Sequence, residues 1–422
     1  MVKLKKELGL FEITVYGVGV ILGAGIYAIM GEGAGLAGNA VWMSFIIAAI
    51  VASFTGLSYA ELSSMYPKTA AEYNYTRKAF RKEWLAFLVG FTMIVAGLFF
   101  SATVSIGFAG YFSALFGTPI IMTAIGLIVV LSLINFMGIK QSSKVNIIST
   151  FIELSGLVII IIIGLPYIGG AVNYFAAPFG MSGIVGAAAL LFFAFIGFEN
   201  IANISEEAKN ATKIIPRALI LSLIISTILY ILVAISAVSV IGWEGLSMSS
   251  APLADVAVAG MGASMHLVLS VIALFATGNT VLIMLIVTSR MMYGISREYS
   301  RGLLSKIHKR TGTPHLAIIA VLILSSFATL LGDLGTVANM TNAGVFITYL
   351  FVNSSLIRMR YTKPKEERPF KVPINIGKMP VLPVLGIITS LFMLIQFDAF
   401  ILTLELILIG LGYLFFRMFV KK

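Results

Sequence analysis

Three glutamates, Glu153, Glu199 and Glu405, stand inside long apolar runs. An acidic side chain at the centre of a membrane helix costs roughly 2.5 to 3.5 kcal/mol on insertion scales, so each needs a physical reason. Taking up a proton is one such reason. A carboxyl whose proton comes and goes as water reaches it can couple proton movement to a change of conformation. Glu405, in "LTLELIL", is also accounted for by a neighbouring partner or a lipid headgroup; Glu153 and Glu199 are the candidate proton-coupling groups.

A second chemistry comes from backbone. The first apolar run contains "GVGVILGAGIYAIMGEGAGLAG". Glycine costs about 1 kcal/mol relative to alanine in a helix interior, so Gly23 and Gly25 mark where that helix breaks. The sixth run contains "FFAFIGFENIANISEE", with Gly197 at a second break. Amides released at Gly23, Ala24 and Gly25, at the positive end of a half-helix, suit a carboxylate. Carbonyls released near Ile21 and between Phe193 and Ile196 suit an ammonium. A zwitterion meets both descriptions, and Ile21, Gly23, Ala24, Gly25, Ile26, Phe193, Ile196 and Gly197 form the candidate substrate-binding set.

Each feature has a plainer reading. Glycines in membrane helices also serve close helix packing, and Phe192, Phe193, Phe195 and Phe198 around Gly197 also read as core filler or lipid-facing surface. The eighth run carries "ATGNT", whose Thr277, Asn279 and Thr280 can meet the first or fifth helix or act as ordinary interhelical glue.

These residues need long apolar elements to hold them. The 422 residues are 59% hydrophobic and 11% charged, with a mean hydropathy of +1.02, whereas a soluble domain is about 25% charged. Apolar runs are continuous, not alternating, which predicts helices instead of a barrel. Twelve spans are expected, at 11 to 37, 41 to 65, 84 to 112, 119 to 138, 145 to 168, 184 to 205, 217 to 242, 264 to 293, 314 to 332, 335 to 357, 380 to 397 and 399 to 418. The first follows Lys3, Lys5 and Lys6 and is read as a retained helix. Trp42, Trp84 and Trp243 fall at predicted span ends, where an amphipathic ring prefers the headgroup layer.

Charge distribution supplies orientation. The net charge is +11, but all 29 basic residues lie in every second gap between apolar runs, while the alternate gaps hold Glu32, Glu244, Asp255, Asp333 and Asp398. By the positive-inside rule the basic gaps and both termini are cytoplasmic, the protein is multi-pass in the cell membrane, and the basic charge implies lipid bilayer rather than nucleic acid. The gap at 68 to 83 and that at 296 to 313 are expected to contain short interfacial helices, that at 359 to 379 an extended connector, and that at 245 to 263 a short helix on the acidic side.

With no cysteine, disulfides, thiolate metal sites and cysteine nucleophiles are excluded. His266, His308 and His315 lie near span ends and far apart in sequence and make no ligand cluster, so no metal and no cofactor are expected. There is no G-x-x-x-x-G-K-[ST] sequence, hence no ATP site. An intramembrane enzyme would need clustered aspartates or histidines, which the chain lacks, so no enzymatic activity is expected. A substrate sensor that does not transport would share the same site.

The two interrupted runs are five spans apart. An odd offset reverses direction through the membrane, so a first repeat at 11 to 168 and a second at 184 to 357 would be inverted copies, with two further helices at 380 to 418, all within one domain, 1 to 422. Paired broken helices in corresponding positions of two halves point to a transporter binding site.

The chain resembles the amino acid-polyamine-organocation (APC) family over nearly its whole length. The resemblance lies in "GVGVILGAGIY", in "FFAFIGFENIANISEEAKNATKIIPRAL", in "TSRMMYGISRE" followed by "TPHLA", and in "RPFKVP". It implies an all-α membrane protein with a LeuT-like fold of two inverted five-helix repeats plus two C-terminal helices, and a secondary active transporter of amino acids, proton-coupled by symport and working by alternating access. An exchanger of amino acids or polyamines is the alternative. By position, the backbone at Gly23, Ala24 and Gly25 would take the substrate carboxylate and that around Ile21, Phe193 and Ile196 its amino group. Phe193 matches an aromatic gate, and Glu199 an acidic position after the break. In some proton-coupled relatives a lysine occupies the fifth-helix position held here by Glu153, so the chain departs from that pattern.

Overall fold

In hydrocarbon a backbone has to satisfy its own amides and carbonyls, and the apolar runs do so as helices. The structure is a computed structural model that describes residues 8–23, 25–67, 71–137, 143–170, 172–203, 205, 208–299 and 303–420. Its helices are α1 (Leu10–Leu22), α2 (Gly25–Ala37), α3 (Val41–Met65), α4 (Ala71–Phe80), α5 (Glu83–Phe116), α6 (Ile120–Met137), α7 (Ser143–Gly164), α8 (Gly180–Leu191), α9 (Asn200–Asn203), α10 (Ala211–Ser247), α11 (Pro252–Met261), α12 (Ser264–Tyr299), α13 (His315–Ala328), α14 (Leu334–Thr362), α15 (Val381–Leu394) and α16 (Ala399–Phe415). A two-residue hairpin, β1 (Asn375–Ile376) with β2 (Met379–Pro380), is the sheet among the described residues.

Helical segments occupy all twelve predicted positions. Among the described residues nine stretches are long and apolar enough to cross a bilayer, with α2 and α3 taken together through the turn Gly38–Ala40. The first span is split into α1 and α2, and the sixth into α8, a 3-10 turn at Phe192–Phe195 and the four-residue α9. The ninth and eleventh, α13 and α15, have 14 residues each, about 21 Å of helix at 1.5 Å per residue.

The expected gap elements are present as α4 and α11. The gap at 296 to 313 instead shows a 3-10 turn, Leu303–Ser305, with residues 300–302 outside the described residues.

The broken spans sit at the centre of the bundle. Helix α1 packs on α7 and α10, α2 on α8 and α10, and α5 runs against α12 and α14. Peripheral helices carry the lipid-facing surface: α6 exposes Met122, Val130 and Leu133, and α16 exposes Phe400, Leu406, Ile407 and Leu411. Apolar exposure of this kind is what a bilayer solvates and water does not.

On the basic side a charged cluster ties the "RPFKVP" segment to two helix ends. Glu61 of α3 is fully buried and accepts from Arg360 Nε at 2.7 Å and Arg360 Nη2 at 2.5 Å, while Arg368 Nε lies 3.1 Å from its Oε1 and the Val372 amide donates to Oε2 at 2.8 Å. Two guanidiniums and a backbone amide compensate one carboxylate, the condition under which a buried charge is tolerated.

Candidate functional site

The two breaks touch. A Cβ added at Gly25 would lie 2.5 Å from Ala194 Cα in the 3-10 turn of the sixth span. Only a residue without a side chain lets backbone approach that closely. Gly197 has φ +124, a conformation that side chains rarely adopt, and a Cβ there would lie 3.1 Å from the Val20 carbonyl oxygen. Both glycines are therefore required by geometry, and the space beside Gly25 is filled by Ala194.

Tyr230 of α10 joins the breaks. Its hydroxyl lies 2.5 Å from the Ile21 carbonyl oxygen and 2.7 Å from that of Ala194, so one proton is shared between the two interrupted helices. The ring is fully buried and packs edge-on against Phe195. Asn342 of α14 supplies a second support: its Nδ2 donates to the Ala189 and Leu190 carbonyls at 2.8 and 2.9 Å, at the end of α8 where carbonyls run short of intrahelical donors.

Several predicted features take a different form. The Gly23 amide is not released, because it donates to the Gly19 carbonyl at 3.0 Å and closes the last turn of α1. The Phe193 carbonyl accepts the Ile196 amide at 3.2 Å, since the chain tightens into a 3-10 turn before it extends at Ile196. Ala24 lies outside the described residues. Ile21, Ile26, Phe193 and Ile196 are all buried at this junction. The four phenylalanines are interior, not lipid-facing: Phe193 stacks on Phe100 at 4.6 Å, Phe192 meets Phe346 at 4.5 Å, and Phe198 contacts Tyr59 and Tyr349.

The three glutamates differ in partners. Glu199 Oε2 accepts from the Gly197 amide at 2.9 Å and from the Tyr349 hydroxyl at 3.3 Å, so this carboxyl caps the break it follows. Glu153 of α7 is 2% exposed; Asn279 Nδ2 of α12 approaches its Oε1 at 3.4 Å, and the Tyr27 hydroxyl donates to its backbone carbonyl at 2.7 Å. Thr277 and Thr280 both bond within their own helix, to the Ala273 carbonyl at 2.6 Å and the Ala276 carbonyl at 3.0 Å, and Thr280 also places its Oγ1 2.5 Å from where a Gly23 Cβ would stand. Glu405 is 2% exposed, lies against the seam of α5 and α14 near Gly344, and neither of its oxygens has a hydrogen-bond partner among the described residues.

Cavities flank the junction. One of about 30 Å³, on the basic side, is lined by Ile196, Glu199, Asn200, Phe100, Thr288 and Glu72 among others. Another, about 360 Å³, opens on the acidic side between Glu32, Asp333, Ser247, Ser249 and Ser250.

Tyr230, Asn342, Phe100, Tyr349 and Glu72 were not anticipated from sequence. Aromatic residues and single amides within apolar runs carry no spacing signal. Glu72 lies in a charged gap that reads as solvated.

Comparison with known proteins agrees with this architecture. The amino acid permease family model matches residues 8–405. The chain is 29% identical to the branched-chain amino acid permease of Bacillus subtilis, over 99% of this chain and 94% of that protein. It is 28% identical to the methylthioribose transporter of Bacillus subtilis, over 91% and 86%. Cationic amino acid transporter 4 of Mus musculus is 31% identical over 85% of this chain and 60% of its own length. A match over nearly the whole chain, on a bundle whose first and sixth spans break against each other, makes this polytopic membrane protein a member of the amino acid permease family, a transporter and not an enzyme.

Proposed function

We propose that the protein is a secondary active transporter that carries an amino acid with a proton, by alternating access around the junction of the first and sixth spans. The observation that carries this reading is the contact between the breaks, joined by the Tyr230 hydroxyl. Unwound backbone at bilayer depth is tolerated where it is packed by protein or lines a cavity, and it is there that peptide groups are available to a zwitterion. Gly25 and Ile26, beginning α2, would meet the carboxylate; Ile21 and Ala194, whose carbonyls Tyr230 holds, would meet the ammonium. Phe193, stacked on Phe100, would close over the side chain.

The junction is tightly packed, with a cavity on either side. Opening either cavity into the junction while the other stays shut is the minimal motion that alternating access requires. The inverted repeats at 11 to 168 and 184 to 357 supply a symmetric way to do so. Glu153, bridging α7 to α12, and Glu199, capping the sixth-span break, are the coupling carboxyls. With the basic side cytoplasmic, as charge distribution favours, both termini face the cytoplasm and the membrane is the cell membrane.

The names of the relatives, a branched-chain permease, a cationic transporter and a methylthioribose transporter, set the range over which the substrate is sought. Uptake of labelled amino acids into proteoliposomes, with neutral, cationic and nucleoside-derived competitors, identifies it. Gradient-driven uptake that survives in neither Glu153→Gln nor Glu199→Gln supports the reading; uptake indifferent to a pH gradient in the unmodified protein assigns exchange or another ion.

A further inference from the structure

Glu72 lies on α4, outside the spans, in a charged gap, yet it is only 2% exposed. Helix α4 folds back against α5 and α14 and turns its first residues inward. The Tyr59 hydroxyl of α3 donates to Glu72 Oε1 at 3.0 Å. Across the same space the Tyr349 hydroxyl of α14 donates to Glu199 Oε2 at 3.3 Å, and the rings of Tyr59 and Tyr349 meet edge-on at 5.9 Å. Both carboxyls line the cavity of about 30 Å³ on the basic side, together with Asn200, Thr288 and Thr341. The rest of the lining is apolar, Met93, Phe100, Met284 and Met291 among it, so these polar groups are the hydrogen-bonding partners of any water the cavity has room for.

We propose that Glu72 is the exit carboxyl of a two-carboxyl proton path, receiving the proton that Glu199 releases and passing it to water on the basic side. This rests on the proton-coupled reading above. In the step, the O–H bond of the Glu199 carboxylic acid breaks and its proton enters a cavity water, which gives an equivalent proton to the Glu72 carboxylate. Glu199 is left as carboxylate and Glu72 as carboxylic acid. Glu72 then loses that proton to solvent water and returns to carboxylate.

The surroundings suit a group that changes charge. Burial raises the Glu72 carboxyl above the usual carboxylate range, against hydrogen bonds from its own amide and from Tyr59 that lower it. The cations of neighbouring elements are engaged elsewhere: Arg77 with Glu83, Lys78 over the Tyr66 ring, Arg358 with the Ala79 carbonyl and the Phe80 ring, and Arg360 with Glu61. Among the described residues the titratable groups that act on Glu72 include Tyr59 from α3, Tyr75 from its own helix, Tyr349 from α14 and Glu199 from the sixth span.

The test uses the full-length protein in vesicles with its basic side facing the external buffer, the opposite orientation being silenced by an impermeant thiol reagent at a cysteine introduced for Ser247. Net substrate-coupled proton flux is followed while the pH on the basic side is varied. In the unmodified protein proton release slows as that side is acidified. Glu72→Gln should lower net coupled flux by about a hundredfold, in line with removal of a positioned proton-transfer group, and should flatten the dependence on basic-side pH. Glu72→Asp should restore part of both. Substrate-induced thermal stabilisation reports that each variant folds; if Glu72→Gln does not, Tyr59→Phe, which removes the hydroxyl and keeps the ring, should shift the same pH profile. A Glu72→Gln protein with the unmodified profile overturns the inference and leaves proton coupling standing. An unmodified protein that moves substrate with no proton flux overturns both.

Discussion

Adding one methyl group at Gly25 is the smallest change that asks whether the two breaks have to touch. The new Cβ would stand 2.5 Å from Ala194 Cα and 2.9 Å from Ala194 Cβ, about 0.9 Å short of ordinary contact at the first of these. That atom is backbone, so no change of rotamer relieves the overlap. Helix α2 and the turn Phe192–Phe195 have to separate instead. Overpacking of a filled interior costs about 1 to 3 kcal/mol, and a misplacement near 1 Å in a binding or reacting geometry costs on the order of a hundredfold in rate. Gly25→Ala is expected to lower thermal stability by the first amount and initial-rate uptake by about the second. Gly186→Ala in α8 is the control: its Cβ meets nothing within 4 Å, and alanine is the better helix former. Uptake into proteoliposomes at matched protein content, beside thermal unfolding of the purified protein, reads both effects. Gly25→Ala with unmodified rate and stability would refute the reasoning, as would a Gly186→Ala protein that is equally damaged.

Other consequences follow from the same contacts. Tyr230→Phe leaves the Ile21 and Ala194 carbonyls without their shared donor and should cost about 1 to 3 kcal/mol in denaturation experiments, the penalty for a buried acceptor left unpaired. Glu61→Gln keeps the shape of the basic-side cluster but leaves Arg360 and Arg368, with side chains 5% and 9% exposed, without a counter-charge; a loss of about 3 kcal/mol is expected, read by the same unfolding measurement. Single cysteines at Gly170 and Ser247 should react with an impermeant reagent applied to intact cells, and those at Lys309 and Lys365 should not; the reverse pattern would invert the proposed orientation.

The breaks were legible because their residues are wrong for the middle of an apolar helix. Gly23, Gly25 and Gly197 carry no burial energy of their own, and Glu153 and Glu199 carry a cost, so each stands out against leucine and isoleucine. What fills the junction was not legible. Tyr230, Phe100 and Tyr349 are amphipathic or apolar, and nothing in their spacing tells a ring that bridges two breaks from one that packs against lipid. Glu72 shows the opposite failure. It sits among Lys78, Arg81 and Lys82, a composition that reads as a solvated loop, and only the folding of α4 against α14 turns it inward. The Gly23 amide is engaged for a local reason: it closes the last turn of α1 on the Gly19 carbonyl, and the chain leaves the helix only at the ψ of Gly23, after that amide has been used.

Proton coupling through Glu153 requires that substrate and proton move together. Proteoliposomes with a trapped pH-sensitive dye and no imposed gradient report this when an accepted amino acid is added outside. The lumen should acidify as labelled substrate enters, in a fixed ratio, and Glu153→Gln, which keeps the shape of the carboxyl, should bind substrate and give no acidification. Uptake of label with no change of lumenal pH in the unmodified protein, or full acidification in Glu153→Gln, would contradict it.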